Sequence, residues 1–196
     1  MRDNLPITRG EAIKLLESMP QTEADWNHYF ESEAIMRALA ERFGESVDYW
    51  GMLGLLHDVD WALTRNNWNE HCTKAISILK EKRFDDRFIE IVLSHGYGYD
   101  AIPCLKDKKR TTKIEHALAA AETMTGIVYA YALMRGKKIS DMEASGLKKK
   151  FKDKRFAENC NREIIKEIEE SGISLDEFFE ISIDAMKKIK NQLGLA

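Results

Sequence analysis

The sequence predicts an all-α protein. Apolar residues recur at helical spacing with no alternating run long enough for a strand. The three prolines, Pro6, Pro20 and Pro103, all fall between the helical stretches, and helix-capping patterns open several of them. Thr8 and Glu11 form a capping-box pattern ahead of Ala12, Ile13, Leu15 and Leu16. A long helix is expected over 22–43, with Gly44 as its stop. Further helices are expected over 47–58, 67–82, 85–95 and 111–134. Two or three more should follow to the C-terminus, the last opened by Ser174 and Glu177. The glycine- and charge-rich stretch 96–110 reads as a loop.

A chain of 196 residues with 44% hydrophobic content suits one compact domain with a real core. Its net charge of -3 asks for neither a nucleic acid nor a membrane surface as obligatory partner. The basic stretch 148–155 reads as a solvated helix face. Cys72, Cys104 and Cys160 form no Cys-x-x-Cys pair, which argues against a zinc knuckle or a disulfide framework and fits a reducing cytoplasm. Arg2-Asp3-Asn4 opens no signal-peptide core, and no apolar run was expected to approach the roughly 18 residues of a membrane span.

Five histidines carry most of the chemical information. His28 shares a stripe with Ile35 and Leu39, His57 with Trp50, Leu53 and Gly54, His71 with Ala75 and Ile78, and His95 with Phe88, Ile91 and Val92. Four helices thus each turn one imidazole inward, while His116 is phased outward by Ile114, Leu118, Ala121, Thr125 and Val128. Buried imidazoles need partners, and a shared metal would satisfy all four together. Asp58 and Asp60 follow His57 closely, and Glu122 lies at the edge of a buried face, where an acid is costly unless it meets a cation. Such a donor set suits manganese, iron, cobalt, nickel or zinc better than calcium or magnesium.

The order His28, His57-Asp58, His71, His95 and Glu122 resembles the HD-domain superfamily. The stretch Gly54-Leu55-Leu56-His57-Asp58-Val59-Asp60 resembles its signature segment, and Ala34-Ile35-Met36-Arg37-Ala38-Leu39-Ala40 its first ligand helix. The C-terminal part, with Asn161-Arg162-Glu163, is similar to small bacterial HD proteins described as predicted metal-dependent phosphohydrolases, an HDIG-like group. The resemblance implies a single HD-type domain over 1–196, with a helical core over about 22–135 and a helical extension over about 136–196. It implies His28, His57, Asp58 and Glu122 as core metal ligands. His71 and His95 then hold a second ion or help bind phosphate and water. Two departures stand out: the last acid is usually aspartate rather than Glu122, and Asp60 replaces the glycine of His-Asp-Ile-Gly.

The implied activity is hydrolysis of a phosphate ester, nucleotides included, by one or two divalent transition metals. Asp58, His71 and His95 are the expected catalytic groups, and Asp58 both holds metal and orients water. Lys74, three residues after His71, and Arg65 are expected to bind the phosphate. Tyr97 and Tyr99 are expected at the pocket mouth. A di-iron oxygenase and a degenerate, non-catalytic nucleotide-binding module stay open as alternatives. The expected partner is a small phosphorylated substrate rather than a membrane or nucleic acid. A homodimer is compatible with all of this.

Overall fold

The computed structural model describes residues 4–196; Met1, Arg2 and Asp3, on which part of the N-terminal reading rested, lie outside the described residues. Among the described residues every regular element is helical.

The capping patterns do what their chemistry requires. At α1 (Arg9–Glu17) the Thr8 hydroxyl accepts the Glu11 N–H at 3.3 Å and Glu11 Oε2 accepts the Thr8 N–H at 2.7 Å. Thr22 and Asp25 repeat the exchange at α2 (Glu23–Phe43), which stops at Gly44 in the left-handed conformation, φ 69°. Helix α3 (Val47–Leu56) is buried from Tyr49 to its end. It lies hard against α2 because Gly54 has no side chain: a Cβ there would come within 2.5 Å of the Ser32 carbonyl oxygen. That approach brings the C-terminal end of α3 to the face of α2 that carries His28.

A short α4 (Trp61–Thr64) and a 3₁₀ turn (Trp68–Glu70) lead into α5 (Thr73–Glu81). Then α6 (Asp86–Ser94) starts where Asp85 accepts the Phe88 N–H at 2.8 Å. Helix α7 (Lys113–Met134) packs against α2, α3 and α6, closing a core that includes Leu39, Leu53, Leu56, Leu118 and Ile127, none of them exposed. It does have the length and hydropathy of a membrane span, contrary to the expectation above, but about two thirds of that stretch is buried inside the fold. It reads as a core helix.

The C-terminal helices α8 (Ala144–Lys152), α9 (Arg162–Lys166) and α10 (Leu175–Lys188) wrap this core, and Ser174 caps α10 by accepting the Glu177 N–H at 3.2 Å. Arg42–Glu177 joins α2 to α10 at 2.5 Å, and Arg110 holds Glu167 through two nitrogens at 2.6 and 2.8 Å. The same guanidinium donates to the carbonyls of Ser94 and Tyr97, fixing the start of the 96–110 loop.

Two helix expectations need correction. The helix expected over 47–58 ends at Leu56, and His57 and Asp58 stand in a tighter turn, with Val59 N–H bonded to Leu56 O and Trp61 N–H to Asp58 O. The helix expected over 67–82 is broken at His71 and Cys72. Cys72 has φ 65°, which no helix accommodates, so His71 faces inward from irregular backbone rather than through helical phase with Ala75 and Ile78.

Candidate metal centre

Each of the four inward histidines has its Nδ1 tied to the protein, which turns its Nε2 toward one point. His57, at the end of α3 and fully buried, bonds the Gly54 carbonyl at 2.8 Å. His95, at the end of α6, bonds the Val92 carbonyl at 2.6 Å by the same local device. A carbonyl only accepts, so Nδ1 carries the hydrogen in both. His28, on α2 and less buried than the others, meets the Thr125 hydroxyl at 3.1 Å. That hydroxyl donates to Glu122 O at 2.6 Å, so it accepts from His28. His71 bonds Asp60 Oδ1 at 3.0 Å, while Asp60 Oδ2 accepts the Ala75 N–H at 3.0 Å.

The Nε2 atoms converge on Asp58. Its Oδ2 faces His57 at 3.7 Å and His28 at 3.8 Å; its Oδ1 faces His95 at 3.1 Å and His71 at 3.4 Å. His28 and His57 Nε2 are 3.0 Å apart, and those of His71 and His95 are 3.3 Å apart. These donor–donor separations are close to the roughly 3.3 Å edges of a tetrahedron with metal–nitrogen bonds of about 2.0–2.1 Å. The donor atoms of His28, His57 and Asp58 form one compact group, all within 4.8 Å of one another, and those of His71, Cys72 and His95 form another. The residues present fit a divalent transition metal, with a carboxylate placed between two positions.

The electrostatics differ across Asp58. Burial drives the His57 pKa down to about 3. Burial also opposes charge on His71, but the Asp60 hydrogen bond, the neighbouring Cys72 and the Asp58 carboxylate outweigh it and lift His71 to about 10. His95 is likewise raised despite burial, by Cys72 and Asp58. Burial pushes the Asp58 carboxyl up, and the surrounding imidazoles, His57 foremost, pull it well below its usual range.

Beside these groups lies a cavity of about 140 Å³ walled by Trp61, Trp68, Tyr99 and Ile102. Glu122 faces it from α7, and burial raises its pKa. Its carboxylate accepts the Thr123 hydroxyl at 2.5 Å and stands outside the compact His28–His57–Asp58 group, so the expected ligand is beside that group rather than within it.

Four sequence expectations are corrected here. Lys74 points away from the centre, 43% exposed and paired with Glu70 one turn back, because the break at Cys72 resets the phase of α5. Arg65 donates to Asp25 at 2.9 Å and to the Pro20 carbonyl at 3.0 Å, fastening α4 to the start of α2 instead of lining the cavity. Tyr97 is buried and donates to Glu90; only Tyr99 reaches the cavity. His116 lies away from the centre as expected, but bonds Glu167 at 2.8 Å rather than facing solvent.

Sequence reasoning passed over Cys72, the two tryptophans and the role of Asp60. The sequence did carry a signal for Asp60: an acid stands in place of a glycine two residues after Asp58. Its position in space explains the replacement, since it orients His71 and anchors the first turn of α5 at once.

The family model of the HD domain matches residues 25–127, more than half of the chain, so the chain belongs to the HD-domain family. HD domains form a superfamily of metal-dependent phosphohydrolases that bind divalent metals, and the matched segment contains every residue of the centre described above. No curated protein and no solved structure matches the chain.

Proposed function

We propose that this chain is a phosphohydrolase that holds two divalent transition-metal ions, one on each side of Asp58, and acts on a small phosphate ester. One observation carries the reading: four imidazole Nε2 atoms divide in pairs between the two oxygens of a single carboxylate, with every Nδ1 fixed by the protein. Orientation of this kind, through carbonyl, hydroxyl and carboxylate partners, is how proteins hold metal-binding imidazoles.

Divalent ions held there would supply Lewis acidity, polarising a phosphoryl oxygen and acidifying water. The chain's own residues do the rest. His28 and His57 on one side, and His71 and His95 on the other, would hold the two ions, with Asp58 between them. Glu122, a carboxyl lifted by burial at the cavity edge, would complete the His28–His57 side once a cation offsets its charge. Its bond to Thr123 holds it ready.

No lysine or arginine lines the cavity among the described residues. Ions held at the centre would therefore supply the positive charge for a phosphate, and the aromatic wall of Trp61, Trp68 and Tyr99 suits a planar or apolar leaving group such as a nucleoside. A reducing cytoplasm suits the three free thiols.

The test is elemental analysis of the purified chain, followed by a phosphate-ester screen with manganese, cobalt, nickel and zinc. Bound transition metal, with phosphate release that disappears in His57→Ala together with the ion of the His28–His57 side, supports the reading. Retained iron with oxygen consumption and no phosphate release would move the chain to the oxygenase reading. Failure to retain any of these metals would leave a non-catalytic module.

A further inference from the structure

Cys72 is fully buried, at a strained backbone conformation (φ 65°, ψ −35°) that non-glycine residues rarely adopt. That conformation turns its side chain to the centre. The sulfur lies 3.7 Å from His95 Nε2 and, with His71 and His95, belongs to a donor group whose atoms are all within 4.8 Å of one another. Room for it is made from the opposite side. Gly96 follows His95, and a Cβ at Gly96 would fall 2.8 Å from Sγ.

These distances have a specific meaning. A tetrahedral ion with bonds of about 2.0–2.1 Å to nitrogen and 2.3 Å to sulfur places the two donor types about 3.5 Å apart. The observed edges are 3.3 Å for His71–His95, 3.4 Å from His71 and 3.1 Å from His95 to Asp58 Oδ1, and 3.7 Å for His95–Cys72. The two imidazoles and the sulfur thus form one compact group, and Asp58 Oδ1 stands within 3.4 Å of both imidazoles.

We infer that Cys72 is a fourth ligand of the ion held between His71 and His95, so that the two metal positions differ in kind. The inference rests on the two-metal reading above. The sulfur–metal bond forms as the S–H bond breaks, with the proton passing to solvent and no change in oxidation state. The His28–His57 position offers nitrogen and oxygen alone. The Cys72 position adds a soft donor, which selects zinc, cobalt or iron(II) over manganese and magnesium.

The test is titration of the full chain with cobalt(II), followed by absorption spectroscopy. Wild type should develop visible ligand-field bands together with a near-ultraviolet sulfur-to-cobalt charge-transfer band. Cys72→Ser should lose the charge-transfer band and keep the visible absorption of the His28–His57 position. Its second equivalent should weaken by at least the roughly 10–100-fold that losing an outer-shell partner costs. Cys72→Gly, which relieves the positive φ, should behave the same way and covers the case in which serine disturbs folding. Cobalt binding with ligand-field bands but no charge-transfer band in wild type would overturn the inference while leaving the metal centre intact. A band that survives in Cys72→Gly but is lost in Cys104→Ser or Cys160→Ser would overturn it too, by assigning the signal to another thiol. No cobalt binding at all would overturn both this inference and the reading on which it rests.

Discussion

The two sides of Asp58 are built by different means. The His28–His57 side rests on regular helices: a mid-helix residue of α2 and the closing turn of α3, brought together by the bare Cα of Gly54. The His71–His95 side pairs the end of α6 with irregular backbone between a 3₁₀ turn and α5, held by Asp60 and by the positive φ of Cys72. The first side depends on packing. The second depends on a few polar contacts that could be removed one at a time, and it is also the side whose imidazoles carry raised pKa values.

This difference can be broken most forcefully by removing one imidazole from each side. His57→Ala should abolish phosphate release and empty the His28 side, leaving metal on the other; His95→Ala should do the reverse. Metal counts per chain, with turnover on the same samples, check both. If either variant loses both ions or neither, the sides are not separate positions.

A smaller effect isolates the polar support. Asp60→Asn keeps the shape but weakens the hold on His71 Nδ1, so affinity at the His71–His95 position should fall by roughly 10–100-fold. Calorimetric titration with zinc should show the other position unchanged. Equal weakening of both would mean that Asp60 acts through general stability.

The protonation states predict an order of loss with pH. His71, lifted to about 10, binds metal only after losing a proton, so affinity on its side should rise with pH up to about 10 and fall below it, by about tenfold per unit for one displaced proton. His57, depressed to about 3, offers no such competition above that value. Acidification from neutrality should therefore empty the His71–His95 side first, as metal release followed by dialysis and elemental analysis would show. Release of both ions together would contradict the assignment.

The smallest effects are expected from two residues, Lys74, which the sequence reading set at the phosphate, and His116, which it turned away from the centre. Lys74→Ala should leave KM for a phosphate ester unchanged, because the ammonium is paired with Glu70 at the surface. His116→Ala should leave metal and turnover unchanged while lowering stability by about 0.5–1.5 kcal/mol through its lost bond to Glu167. Steady-state kinetics and thermal unfolding check both.

How far the sequence could be read follows the same division. Capping boxes at Thr8 and Thr22, the stop at Gly44 and the buried faces of α2, α6 and α7 were legible because helical periodicity reports them directly. His28, His57 and His95 lie on or at the ends of helices, so their inward direction could be computed from phase. Lys74 and Arg65 were misplaced because both assignments needed the backbone between Asp60 and Thr73, where no period exists. Cys72 was invisible for the same reason: nothing in the order of residues announces a positive φ at a cysteine. Glu122 lines the cavity beside the centre, and its bond to Thr123 depends on rotamers that no periodicity encodes.

The central claim is that Asp58 joins the two positions, one oxygen facing each. Its most direct test is the metal content of Asp58→Ala beside wild type, both purified with saturating zinc and freed of loosely bound ions. Wild type should carry two ions per chain and the variant should lose metal from both positions, with circular dichroism showing the helical fold intact. Two ions retained in Asp58→Ala, or loss confined to one position, would contradict it.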